Sequence, residues 1–465
     1  MTVTSTSTAS TATTSATTPA ICDAPPLPVL GRDVTVPLVT GGEVSYAALD
    51  YAASAPALQR VWDDVAAYAP YYGSVHRGAG YLSQLSTELF EQSRATVADF
   101  LGCRPADQVI FTRSTTDSLN LLAAVLPAGT QIFVFETEHH AALLPWQRAK
   151  GARVTCLAAP RTPEQAVAAL DVALHAAPKG PKLVCVTGAS NVTGEVWPVR
   201  RLAAAAHRHG ARIVLDAAQL APHRKVDVAE LDVDWVAFSG HKLYAPFGAG
   251  VLAGRPDWLR DAEPYLAGGG ATRTVVRRAD GQVEAEWQES PAARHEAGSP
   301  NVIGAYAVAS ACKALTEAGF DRLAEHERQL LDLLRDGLAG IPEVRVLSLF
   351  GDGADRVGVL SFVVQGWNSS HLAAALSAEH GIGVRDGLFC AHPLVRHLLG
   401  GEPEDPGACG SPENLSFNAV RVSFGVGTPH EHVRRFTGAL AKLVREGAAW
   451  TYRTESGRCV PAPTA

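Results

Sequence analysis

Five short apolar runs, each ending in groups suited to chemistry, constrain this chain more than any other feature. They are QVIFTRSTT (108–116), QIFVFETEHH (131–140), KLVCVTGASNVTG (182–194), RIVLDAAQ (212–219) and DWVAFSGHK (234–242). Between them lie alanine-rich stretches with helical periodicity, such as PEQAVAALDVALHAA and RLAAAAHRHG. Such alternation predicts an α/β domain with a mainly parallel sheet. Open α/β sheets bind ligands beyond the carboxyl ends of their strands. Those ends carry Thr115 and Thr116, His139, Asn191, Asp216 and Gln219, and Ser239 to Lys242. Five separate runs therefore predict one crevice.

Past about residue 315 the pattern changes. AEHERQLLDLLRDGLAGI, SSHLAAALSAEHGI and HEHVRRFTGALAKLVREG read as helices, and RVGVLSFVVQG and AVRVSFGV read as strands. This predicts a smaller α+β domain over 316–450. The large domain is expected over 46–315, with segment 29–45 packing on the small one. A Ser/Thr/Ala-rich tail over 1–28 and a second tail over 451–465 are expected to be flexible. LGGEPEDPGACGSPENLSF (399–417) reads as a loop.

Composition excludes several partners. Apolar residues make up 47% and charged residues 19%, an ordinary globular balance. A net charge of −7 gives no general attraction to nucleic acid or anionic membrane. No apolar run is long enough to span a bilayer. The first twenty residues lack the features of an export signal, and the eight cysteines are scattered without metal-ligand spacing. A cytoplasmic chain with reduced thiols and no metal is expected.

Lys242 is the residue to explain, because it follows a buried-looking strand and burial disfavours its charge. A desolvated lysine loses its proton readily, and a neutral amine can condense with an aldehyde. Asp216 ends a neighbouring strand and could pair with a ring nitrogen. Ser114 to Thr116 open a helix suited to a phosphate, and His139 offers a ring to lie on a cofactor face. These are the parts a pyridoxal phosphate site requires. No G-x-G-x-x-G turn follows the first strand, so a nicotinamide-binding reading fails.

A family resemblance rests on motifs running in order along the chain. They are LDYAASAP (49–56), SVHRG (74–78), TRSTTDSLNLLA (112–123), EHHAALLPWQ (138–147), SNVTGEVWPV (190–199) and DAAQ (216–219). SGHKLYAPFGAGVL (239–252), HEAGSPN (295–301), GIGVRDGLFCAHPL (381–394) and VRVSFGVGT (420–428) continue the series. The chain resembles the class V aminotransferase-like pyridoxal phosphate enzymes, and among them the type II, selenocysteine-lyase-like cysteine desulfurases. The resemblance implies the fold type I architecture, with a mainly parallel seven-stranded sheet in the large domain. It implies Lys242 as the lysine that carries the cofactor, Asp216 at the pyridine nitrogen and Gln219 at the phenolic oxygen. His139, rather than its neighbour His140, would lie on the ring. Thr115, Thr116, Ser239 and His241 would hold the phosphate, and Asn191 would touch ring or substrate. Ser299 stands where relatives reach across a homodimer to the partner's phosphate. Arg421 would grip the substrate carboxylate in bidentate fashion, with Arg385 a second candidate and His76 approaching the site.

The reaction is left to the remaining groups. Cys390 stands where type II desulfurases keep a nucleophile, which implies conversion of L-cysteine to L-alanine, a persulfide on Cys390 and a sulfur-acceptor protein. Two histidines usual before that cysteine are replaced here by Leu388 and Phe389. A class V aminotransferase, an amino-acid epimerase or a C–S lyase with Cys390 as bystander is the alternative. A non-enzymatic scaffold is opposed by the retention of Lys242 and Asp216. The long 399–417 loop, with its own Cys409, would relay sulfur, cover the site or simply be a surface insertion.

Overall fold

The computed structural model describes residues 24–401, 418–455 and 458–462. Most of the expected N-terminal tail, Cys409 and most of the 399–417 loop lie outside the described residues. The large domain is built on seven strands: β1 (Gln108–Thr112), β2 (Gln131–Phe135), β3 (Arg153–Leu157), β4 (Lys182–Thr187), β5 (Arg212–Asp216), β6 (Trp235–Ser239) and β7 (Gly250–Gly254). Their order is β1–β7–β6–β5–β4–β2–β3. Strand β7 runs antiparallel to β1 and β6, and the remaining pairs are parallel. The inner strands read as continuous apolar runs because helices cover both faces of such a sheet; β6 is buried along its whole length.

Strand β1 leads directly into the helix Thr115–Val125, whose Ser114 cap accepts a hydrogen bond from Asp117 N. The helix N-terminus thus opens at the same sheet edge as the ends of β4, β5 and β6. Gly250 makes that approach possible. A Cβ there would stand 2.6 Å from the Cα of Ser114.

The small domain carries an antiparallel sheet of β8 (Val344–Val346), β9 (Val359–Val364), β10 (Arg385–Gly387) and β11 (Ala419–Ser423), in the order β8–β9–β11–β10. The helices Phe320–Ala339, Ser369–His380 and His430–Glu446 contribute to its core, which includes Leu330, Leu376, Phe362 and Phe436.

Two expectations about the chain's organisation change. Ala47 and Leu49 belong to the small-domain core, and Ala47–Ala48 pairs with Ile382–Gly383. Alternate residues Ala47 and Leu49 of this extended segment face the smaller core, whereas Tyr51 and Ala52 face the larger one, so the crossing lies a few residues past the expected boundary at 46. The stretch expected as a flexible tail over 451–465 instead contains a hairpin, Tyr452–Glu455 against Arg458–Pro461. Glu379 anchors it by accepting from Ala449 N, Trp450 N and the Tyr452 hydroxyl.

Residues 35–45 form a small hairpin, and Val39 N donates to Ala378 O on the small domain. Among the described residues no helix is long and apolar enough to cross a membrane. Cys103, Cys156, Cys185, Cys312, Cys390 and Cys459 are unpaired thiols.

Candidate active site

A cavity of about 480 Å³ opens at the carboxyl ends of β4, β5 and β6, where the small domain meets the large one. It gathers Thr115, Thr116, His139, Asn191, Asp216, Gln219, Ser239, His241 and Lys242 from the large domain. Arg385, Cys390 and Arg421 enter from the small domain.

Lys242 follows β6 and turns its chain back through a bond from its own N–H to Ser239 O. Loss of hydration pulls its amine down to about 8, against the opposing attraction of Asp216. A sizeable fraction of the amine is therefore neutral near physiological pH. Asp216 is buried at the end of β5, and Ala218 N donates to its Oδ1 at 2.9 Å. Burial raises its carboxyl, while the Ala218 bond and Lys242 pull the other way. A cation placed beside it would complete this pair. Gln219 is fixed by donating from Nε2 to Ala52 O at 2.8 Å.

The phosphate end is a donor set. Thr115 N and Ser239 Oγ are 2.7 Å apart, as are the Thr115 and Ser239 hydroxyls. Thr116 is exposed at the helix N-terminus, where unsatisfied N–H groups and the helix dipole favour an anion. His241 lies 3.3 Å from Ser54 Oγ through Nδ1, its pKa lowered by burial and then by Lys242.

His139 caps a short helix by accepting from Ala141 N at Nδ1, 3.0 Å away. That bond leaves the proton on Nε2. Burial, then Lys242, His140 and Arg421, drive the imidazolium pKa down to about 3, so the ring is neutral. Glu138 beside it is fully buried and accepts from Thr187 N. Burial and then Asp216 push its carboxyl well above the usual range.

Arg421 is 3% exposed, donating from Nη1 to Asn191 O at 3.1 Å and from Nη2 to Asp50 Oδ1 at 2.8 Å. Phe389 lies under it, with the guanidinium carbon 5.0 Å from the ring centre. Phe389 and Cys390 are consecutive residues in the left-handed region, each with φ 52°. Such conformations cost energy for residues with a Cβ and persist only where the surroundings enforce them. Here Asn191 Nδ2 donates to Phe389 O and His140 N donates to Cys390 O, both at 2.8 Å. Cys390 is exposed and within electrostatic reach of Lys242 and Arg421.

Two predicted residues do not line this cavity. His76 and Ser299 line a separate one of about 880 Å³. His76 Nε2 sits 2.9 Å from Glu91 Oε1, and its ring meets Phe90 edge-on. Ser299 is exposed at the rim. Two residues of the site escaped sequence reasoning. Asp50 was visible inside LDYAASAP, but its partner Arg421 lies 371 positions away. In the sequence Phe389 stands only as the replacement of a usual histidine, and nothing local signals that its ring meets an arginine.

Residues 47–436 match the family model of class-V aminotransferases. A probable cysteine desulfurase of Vibrio cholerae is 36% identical over 416 residues, covering 88% of this chain and 95% of that protein. A probable cysteine desulfurase of Mycolicibacterium paratuberculosis is 34% identical over 82% of this chain. The chain spans about half the length of that relative, 53%. The solved apo structure of a cysteine desulfurase from Thermococcus onnurineus aligns with a TM-score of 0.74 and 33% identity, covering 86% of this chain and 95% of its own.

Proposed function

Since this chain belongs to the class-V aminotransferase family, we propose that it is a pyridoxal phosphate-dependent cysteine desulfurase that converts L-cysteine to L-alanine. The observation that carries this reading is the meeting of Lys242, Asp216, Arg421 and an exposed Cys390 in one cavity. The donor set fits the cofactor. Lys242 would hold its aldehyde end and Asp216 its ring nitrogen. Gln219 would meet the phenolic oxygen and His139 the ring face. Thr115, Thr116, Ser239 and His241 would take the phosphate, at a helix terminus kept open by Gly250. When bound, the cofactor supplies a sink for the electron pair released as the substrate loses its Cα proton.

The chain's own groups do the rest. Arg421 orients the substrate carboxylate, and Asn191 steadies Arg421 through its backbone oxygen. Lys242, with its amine near pKa 8, takes the Cα proton and can return it to carbon. His139 stays neutral and adds no charge beside the ring. The Cys390 thiolate bonds to the substrate sulfur as the substrate's carbon–sulfur bond breaks. The electron pair goes to carbon, which is protonated to give alanine, and the persulfide remains on Cys390. Because Cys390 is exposed, an acceptor protein's thiol can reach that sulfur. The unpaired cysteines suit a reducing, cytoplasmic setting. Ser299 and His76 suit a homodimer in which each copy completes its partner's site.

Incubation of the loaded enzyme with L-cysteine and a thiol is expected to yield alanine and sulfide in equal amounts. Cys390→Ala should lower that turnover by about a hundredfold or more, as loss of a covalent nucleophile does. Full turnover in that variant would discard the persulfide route and leave Cys390 a bystander.

A further inference from the structure

The carboxylate end of the cavity holds more charge than one substrate group needs. Arg385 and Arg421 stand directly opposite each other in the β10–β11 register. Asp50 reaches them from the crossover segment that bridges to Ser423. Its Oδ1 accepts from Arg421, and its Oδ2 lies 4.0 Å from Arg385 Nη1. A guanidinium has five N–H donors. Asn191 O and Asp50 use one each, and the Arg421 Nε is buried with no partner. The arginine is therefore held in place and still short of acceptors.

We propose that Asp50 is a specificity-determining residue, an internal counter-ion that tunes this arginine pair to amino acids bearing a single carboxylate. Two cations and one anion leave one net positive charge, which one substrate carboxylate neutralises. An amino acid with a second anionic group on its side chain brings a charge that nothing at this end matches, and Asp50 repels it. This deepens the desulfurase reading, which supplies L-cysteine as the singly anionic substrate. Asp50 therefore acts by its charge, at the arginine pair and on an incoming second anion, and not at the reacting atoms.

The test uses cofactor-loaded protein titrated with L-alanine and with L-aspartate, each dissociation constant being read from the cofactor absorbance band. In Asp50→Asn, aspartate should gain on alanine by about tenfold, since one like charge near the site is removed. Asp50→Glu should keep the wild-type ratio. Arg385→Gln, at an exposed position, should move the ratio the other way and gives a second reading should Asp50→Asn not fold. An unmoved ratio in the folded variants, or equal weakening of both amino acids, would overturn the proposal and leave Asp50 merely orienting Arg421. Neither amino acid carries sulfur, so a chain that fails to desulfurate L-cysteine still reports this outcome.

Discussion

The site's titrating groups are set by burial before they are set by partners. His139 shows the consequence for stability. Its native pKa is lowered to about 3 from an ordinary 6.5, so the native state prefers the neutral ring. The contribution is fully present above pH 6.5. Between pH 6.5 and 3 the unfolded chain takes up a proton that the native chain refuses, and stability falls. His139→Gln should therefore flatten the fall in denaturation midpoint between pH 7 and pH 5. Identical pH dependence in the two proteins would remove His139 from this role. Lys242 follows the same logic higher up, with stability rising as pH climbs from 8 towards 10.5. At this scale the sequence was most legible for Lys242, Asp216 and Gln219. Each follows an apolar run whose end marks the crevice. Asp50 and Phe389 were not legible as site residues, because their roles depend on a contact between distant parts of the chain.

Elements were legible where burial made a continuous apolar run. Strands β1, β2, β4, β5 and β6 fall within the five runs that the sequence marks out. β3 was not among them, since RVTCL sits at the sheet edge and is largely exposed. β7 was missed for another reason: GVLAG is short and glycine-bounded, and it reads as part of a turn. Its glycine is where the element meets the site. Gly250→Ala would drive a methyl into the Ser114 backbone, which cannot rotate away. A loss of about 1–3 kcal/mol in stability is expected, with weaker cofactor retention at the helix N-terminus. Gly438 makes the contrast, because a Cβ there meets nothing within 4 Å in the helix His430–Glu446. Gly438→Ala should gain about 0.5–1 kcal/mol. Thermal melts of both variants check the pair, and equal melting temperatures would refute the steric account.

For the whole molecule, the two-part architecture was legible from the change of pattern near residue 315, whereas the segment that crosses between the parts was not. Ala47 and Leu49 join the smaller core while Tyr51 and Ala52 join the larger. The placement of His76 and Ser299 outside the substrate cavity bears on assembly. If they serve a second copy, the active species sediments at twice the chain mass, and activity per chain falls on dilution below the dissociation constant. A fully active monomer would refute this. A second tie between the parts is buried. Glu195, in the loop of Asn191, accepts from Leu349 N, Phe350 N and Arg356 Nη2, and Ser361 Oγ donates to Val192 O at 2.5 Å. The paired left-handed residues at 389 and 390 are pinned from that same loop and from His140. The backbone that carries the thiol is therefore seated, like a latch bolt, in a frame made by the other half of the protein. Any movement that parted the halves would break both of these bonds and release the strained pair.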